Sequence, residues 1–310
     1  LNSHSHTYRS NGKLLLTAEY AVLDGAKALA IPTKYGQSLT VENNTTNIIY
    51  WKSYNELNEV WFEDEFLIEN DSDILCIIAK VNNDVSERLI QILKAIRDMN
   101  PDFLASGEGY NITTHQDFNR AWGLGTSSTL INNMADWSNV NAYQLLQKTF
   151  GGSGYDIACA QTDTPITFQL KSKANPLVDV VTFQPKFINQ LYFVYLNQKQ
   201  NSRDGISTYK KLGKVNNDIL EEINSITEAM ISCTSLHKFE RLIDSHELII
   251  SKLIQQEPIK SRLFSDFEGS IKSLGAWGGD FVLAASTFNP TRYFNALGYD
   301  IVIPYRNMIL

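Results

Sequence analysis

The sequence predicts an α+β fold in two lobes, and three observations carry that expectation. With 310 residues the chain can enclose a large core, and its length allows either one big domain or two lobes, of which two are favoured. Residues 13 to 69 are rich in short apolar runs and in alternating β-branched and aromatic residues, the pattern of strands. From residue 203 to about residue 273 the apolar positions recur instead at helical spacing. A strand-rich lobe over 1–175 and a second lobe over 176–310 are therefore expected, facing each other across a cleft.

Taken in order, KLLLTAEYAVLD (13–24) reads as strand, closed by a turn at Gly25, and 28–41 as a strand pair broken near Pro32 and Gly36. Hairpins are expected over 47–69. In VSERLIQILKAIRD (85–98), Leu89, Ile92, Leu93 and Ile96 fall on one helical face. GYNITTH then returns as a strand that runs into a glycine turn. After a second glycine turn, PITFQL, VDVVTF and NQLYFVYLN read as strands, and helices follow at about 203–212, 216–233, 236–255 and 259–273. FVLAAS and YDIVIP close the chain as strands.

Composition excludes several classes. Hydrophobic residues make up 43% and charged residues 20%, as in ordinary globular proteins, and no apolar run approaches membrane-spanning length. Residues 1 to 12 are polar, so neither secretion nor a membrane is expected, and a cytoplasmic location is. Cys76, Cys159 and Cys233 lie far apart with no paired spacing, which argues against a disulfide framework or a thiolate zinc site. A net charge of −7 speaks against a broad nucleic-acid surface. Lys13, Lys34, Arg120 and Arg203 nevertheless stand close to the motifs below, where a small polyanion would need them.

The stretch NRAWGLGTSSTLINNMADW opens with Gly123-Leu124-Gly125, continues with Thr126, Ser127 and Ser128, and enters a helical pattern at Leu130, Ile131 and Met134. Glycines let backbone N–H groups curl toward an anion, and a helix start adds unpaired N–H groups and a positive dipole end. That combination is a phosphate cradle without the spacing of a Walker A loop. About thirty residues on, Gly151-Gly152-Ser153-Gly154 presents Asp156 at another helix start, where a carboxylate could accept a proton from a hydroxyl near the bound phosphates.

Four segments, GKLLLTAEYAVLDG, AWGLGTSS, GSGYDIA and GAWGGD, occur in an order that resembles the GHMP kinases, the superfamily of galactokinase, homoserine kinase, mevalonate kinase and phosphomevalonate kinase. GSGYDIA is most similar to the mevalonate and phosphomevalonate kinase branch, and the aspartate after GAWGG to phosphomevalonate kinase. The resemblance implies a ribosomal protein S5 domain 2-like N-terminal lobe with the ATP loop, and a ferredoxin-like C-terminal lobe closing the acceptor side. It implies Asp156 and Lys13 as catalytic residues, and Gly123, Leu124, Gly125, Thr126, Ser127 and Ser128 around the ATP phosphates, with Ser127 on Mg²⁺. Glu19, Tyr20, Ser153, Gly154, Ser202, Arg203, Trp277, Gly278 and Gly279 are implied on the substrate side, although Glu19 by itself reads as a hydrogen-bonded structural acid.

The departures are specific. Ala18 and Tyr20 stand where the family's first motif has Gly and His, and Trp277 occupies a glycine position of the third. The neighbourhood AYQLLQKT carries no acid where mevalonate kinases place a metal-binding glutamate. The expected activity is ATP-dependent phosphorylation of a small metabolite, mevalonate or phosphomevalonate first. A sugar or homoserine-type kinase, or a nucleotide-binding regulator with weakened turnover, remain the alternatives.

Overall fold

The computed structural model describes residues 5–71, 74–81, 83–172, 175–198, 202–211, 213–277 and 279–310. Backbone packing groups them into two compact units, each built from several stretches of chain. Unit 1 comprises Leu1–Gly12, Tyr35–Arg120 and Gly125–Gln161; unit 2 comprises Lys13–Lys34, Ala121–Leu124 and Thr162–Leu310. Two long strands, β1 (Ser5–Leu15) and β2 (Ala28–Asn43), each give one part to either unit.

In unit 1 the later part of β2 pairs antiparallel with β6 (Tyr110–Gln116), from Gln37↔Gln116 to Asn43↔Tyr110. Strand β6 runs parallel to β3 (Ile48–Tyr54), which forms a hairpin with β4 (Val60–Asp71), and β5 (Ile74–Ala79) edges the sheet. Four helices belong to this unit: α1 (Asp84–Met99), α2 (Thr126–Ser138), α3 (Ala142–Thr149) and α4 (Tyr155–Ala160). Helix α1 starts where the Asn83 side chain accepts from the N–H groups of Val85 and Ser86, at 2.9 and 3.0 Å. It buries Leu89, Ile92, Leu93 and Ile96, the face that the periodicity predicts. Those residues join Trp51, Phe66, Ile112, Ile131 and Met134 in one core, each such side chain contributing about 1.5–3 kcal/mol of burial.

In unit 2, residues Ala28–Ala30 of β2 pair antiparallel with β7 (Ile166–Ser172), and β7 with β8 (Asn175–Val180). A separate antiparallel sheet runs in the order β10 (Ser270–Ser273), β11 (Phe281–Ala285), β9 (Leu191–Tyr195), β12 (Val302–Pro304). The helices are α5 (Ser202–Lys211), α6 (Asn217–Ile231), α7 (Leu236–Ile254), α8 (Ile259–Leu263), α9 (Thr291–Ala296) and α10 (Tyr305–Met308). Helix α7 packs on β10, and Phe264, Phe267, Ile271, Val282 and Phe294 form a core beside it. No helix among the described residues is long and apolar enough to cross a membrane.

Three local expectations are corrected. Residues 28–43 form one strand, because Pro32 falls between the residues paired to β7 and those paired to β6, so its missing N–H interrupts neither ladder. Residues 17–24 leave the strand: Ala18 and Tyr20 take φ of 64° and 61°, and Ala21–Asp24 close into a 3-10 turn. The helix expected over 259–273 stops at Leu263, and Ser270–Ser273 is a fully buried strand.

Candidate active site

The phosphate loop takes its shape from two left-handed glycines, Gly123 (φ 66°) and Gly125 (φ 96°), the second of which caps α2. The first helical bond closed beyond the cap runs from the Thr129 N–H to the Gly125 carbonyl, at 2.9 Å. The amides of Thr126, Ser127 and Ser128 precede it and have no partner within a helix, the arrangement that receives an anion. The three hydroxyls, grouped together in the sequence, separate here. Ser128 Oγ donates to the Gly125 carbonyl at 2.9 Å, and Thr126 Oγ1 accepts from Gln116 Nε2 at 3.0 Å. Ser127 alone of the three is exposed, so its hydroxyl is the one presented to a ligand.

Beneath the loop lies a buried polar net that sequence reading missed. Ser10 Oγ donates to Asn133 Oδ1 (2.7 Å) and accepts from Asn132 Nδ2 (3.0 Å), while Asn133 Nδ2 donates to the Gln37 carbonyl (2.9 Å). These bonds pin α2 to β1 and β2. The only sequence signal was a polar Asn132-Asn133 pair set among the apolar positions of the helix.

The second glycine turn has φ of 69°, 111° and 95° at Gly151, Gly152 and Gly154, and Gln147 Nε2 fastens it by donating to the Gly152 carbonyl at 2.9 Å. Gly154 caps α4, where a Cβ would press on the Tyr143 ring. Asp156 lies in the first turn of α4, half-buried, and Ser153 is buried. Helices α2 and α4 pack together within unit 1, joined by Gln161 Nε2 donating to Asn132 Oδ1 at 2.9 Å. Both glycine-capped helix starts therefore stand on a shared support. Helix α3, between them in sequence, contributes no acid.

Unit 2 carries the remaining candidates. Lys13 holds the loop twice: its N–H donates to the Leu124 carbonyl (3.0 Å) and its Nζ to the Gly123 carbonyl (3.1 Å). Tyr20 is buried, donates to the Ala276 carbonyl at 2.7 Å and stacks on Tyr209. Gly205 of α5 lies so close that any Cβ would overlap the Tyr20 hydroxyl. Trp277 is 2% exposed with φ 52°, and Gly279 is buried. Ser202 and Arg203 start α5, but their side chains, and all of Gly278, lie outside the described residues.

Glu19 faces inward. Its side chain is fully buried and paired with Lys272 of β10, which also donates to Glu247 of α7 at 3.0 Å. Glu247 in turn accepts from the Ser273 N–H and Oγ at 3.0 and 2.8 Å. His246 Nε2 accepts from the Ala18 N–H at 2.9 Å, so that nitrogen carries no proton. Burial, followed by the Lys272 charge, holds His246 well below its usual range. Burial also pushes Glu19 up to about 7 against the attraction of Lys272. For Lys272, burial is outweighed by Glu19 and Glu247, and its ammonium is held above the ordinary lysine range. Glu19 and Tyr20, both expected on the substrate side, have enclosed side chains that bond to Lys272 and to the Ala276 carbonyl. Lys272, His246 and Glu247 were not singled out from the sequence, since their partners lie 25 to 253 residues away.

Among the described residues no group of three or more His, Cys, Asp or Glu side chains is placed to hold a metal ion. Magnesium carried by a nucleotide keeps its phosphate and water ligands and needs only one or two protein oxygens. The exposed Ser127 hydroxyl fits that need, as the free amides fit the phosphates.

No protein-family model matches the sequence, and no curated protein does. Solved structures do. A phosphomevalonate kinase from Streptococcus pneumoniae, in complex with phosphomevalonate and AMPPNP, is 16% identical, with a TM-score of 0.68 over 96% of this chain and 99% of that one. The Methanococcus jannaschii mevalonate kinase is 15% identical, with a TM-score of 0.65 over 96% and 95%. A D-glycero-D-manno-heptose 1-phosphate kinase from Bacteriodes thetaiotaomicron is 14% identical, with a TM-score of 0.65 over 97% and 95%. The chain thus has, over nearly its whole length, the mixed α+β fold that these kinases share, the GHMP kinase fold that its motifs implied.

Proposed function

We propose that the protein is a cytoplasmic, ATP-dependent kinase of a small, anionic metabolite, with mevalonate or phosphomevalonate as the leading acceptors. The observation that carries this reading is the glycine-capped start of α2, with its unspent amides and exposed Ser127. Support comes from the fold, which recurs in kinases that act on mevalonate, phosphomevalonate and a heptose phosphate.

In this reading the α2 amides bind the phosphates of ATP, and Ser127 holds the accompanying magnesium, which neutralises charge on the transferring group. Lys13 adds positive charge at the loop, and the hydrogen bond from its Nζ to the Gly123 carbonyl keeps that charge in place. Asp156 orients the acceptor hydroxyl and takes its proton; where the acceptor is a phosphate, already ionised, Asp156 positions it. Catalysis is then positioning and electrostatics rather than covalent chemistry.

The test is ADP release over a panel of mevalonate, phosphomevalonate, sugars and amino alcohols, with the wild type and Asp156→Ala. One acceptor is expected to give turnover that the variant lowers by about 10²–10⁴-fold while ADP affinity is retained. Nucleotide binding without ADP release for any acceptor would replace the kinase with the regulator.

A further inference from the structure

Within unit 2, one end of the β10–β11–β9–β12 sheet opens into a hollow of about 430 Å³. The sheet register sets its position. Tyr195, the last residue of β9, pairs with Phe281 at the start of β11, and Val194 pairs with Val302 at the start of β12. The chain that leaves β9 and the chains that enter the other two strands therefore meet at this end, and they line the hollow with Leu196, Trp277 and Tyr299. Gln256 beyond α7 and Arg262 and Leu263 at the end of α8 close the other side.

Local bonds hold these walls in place. The Gln256 N–H donates to the Ser251 carbonyl at 3.1 Å and its own carbonyl accepts from Ser251 Oγ at 2.6 Å. The Arg262 N–H closes a helical bond to the Pro258 carbonyl at 3.1 Å. The Tyr299 N–H donates to the Phe294 carbonyl at 3.0 Å, and its ring stands edge-on to Phe264 with centroids 5.3 Å apart.

The polar side chains of the lining remain unspent. Among the described residues no hydrogen bond or ion pair engages the side chains of Gln256, Arg262 or Tyr299, and the buried indole N–H of Trp277 has no partner either. Guanidinium and indole groups can only donate. No acidic side chain lines the hollow, whereas Leu196, Leu263 and the two aromatic rings give it apolar walls. Apolar walls with a few polar groups, in a volume of this order, are the form that small-molecule sites take. Arg262 is exposed at the rim, where its fork can pair with a carboxylate or a phosphate through two parallel bonds.

We propose that this hollow binds a small organic anion, a phosphate or carboxylate head on a short apolar body, with Arg262 on the head and Leu196, Trp277 and Tyr299 along the body. Binding there requires neither ATP nor turnover, so it stands independently of the kinase reading.

The experiment is calorimetric titration of the full chain with butyl phosphate and with pentanoate, beside inorganic phosphate and acetate, for wild type, Arg262→Gln and Lys252→Gln. Wild type is expected to bind butyl phosphate or pentanoate at a single site, and the tighter of the two identifies the head group. The matching ion without a body should bind about tenfold more weakly or not at all, because nothing covers the apolar walls. Arg262→Gln should weaken the probe by about tenfold or more, while Lys252→Gln, which removes an exposed cation outside the hollow, should leave it unchanged. Failure of both probes to bind wild type would overturn the proposal. So would undiminished binding in Arg262→Gln, equal weakening in both variants, which marks diffuse surface charge, or a bodiless ion that binds as tightly as its probe.

Discussion

Replacing Glu19 with glutamine removes one of two buried carboxylates that share a single ammonium, and the structure sets the size and sign of the effect. Glu19 faces Lys272 from β10, Glu247 and His246 from α7, and the adjoining Tyr20. In the unfolded chain it loses its proton near the ordinary carboxylate value of 4.5, whereas burial holds that proton in the folded protein up to about 7. A carboxyl group raised on folding stabilises the protein fully below its unfolded value, and the contribution is lost as pH climbs to the folded one. At about 1.4 kcal/mol per pH unit, the wild type should shed about 3 kcal/mol relative to Glu19→Gln across that window. His246 acts in the opposite sense, because its folded value is depressed and its contribution is lost as pH falls, but it does so in both proteins and cancels in the difference. Urea unfolding of wild type and variant from pH 5 to pH 8 reads the effect as two stability curves that converge or cross on raising the pH. Curves that run parallel over the whole range would show that Glu19 is ionised throughout and refute the reasoning.

Lys272→Met leaves Glu19 and Glu247 buried without a cation and should cost about 3–5 kcal/mol at pH 8, with a smaller loss at pH 5, where protonation relieves the carboxylates; urea unfolding at the two pH values measures it. Gly123→Ala imposes a left-handed alanine and pushes the Asp280 carboxylate aside, so stability should fall by about 1–2 kcal/mol and magnesium-ADP affinity should fall with it in a titration. Ser127 and Ser128 should separate cleanly: Ser127→Ala is expected to change stability by no more than about 0.5 kcal/mol while weakening magnesium-ADP. Ser128→Ala, losing its bond to the Gly125 carbonyl, should lower stability by about 1 kcal/mol with nucleotide affinity kept.

Local signals made part of this protein legible. Helix α1 was evident from Leu89, Ile92, Leu93 and Ile96, because one buried face repeats at helical spacing. The glycine turns at 123–125 and 151–154 were readable because only glycine takes their φ values without strain, and both do precede helices. What failed was settled by distant partners. The 18–20 turn is held by His246, Lys272 and Ala276, more than 220 residues away, and nothing in TAEY announces them. Ser270–Ser273 reads as the continuation of a helix until its pairing with Val282–Ala285 is known. The unity of β2 hid behind Pro32, whose effect depends on which residues face it across the sheet.

The two glycine positions at which this chain departs from the GHMP pattern bear on how its site is maintained. Ala18 and Trp277 replace glycine, yet both keep a left-handed backbone, at φ 64° and 52°. Each non-glycine residue in that conformation costs about 1–2 kcal/mol, and Tyr20 and Asp280 beside them bear the same strain. Strain of this kind persists only where surrounding contacts over-determine the shape, and here they do. The Ala18 N–H is taken by His246, the Tyr20 hydroxyl ties its turn to Ala276 in the third glycine motif, and Glu19 between them is locked by Lys272, which lies on the strand entering that same motif. The buried ionic cluster is therefore the support of two loops at once. A change there, such as Lys272→Met, reaches Asp280 and the third glycine motif through the turn itself.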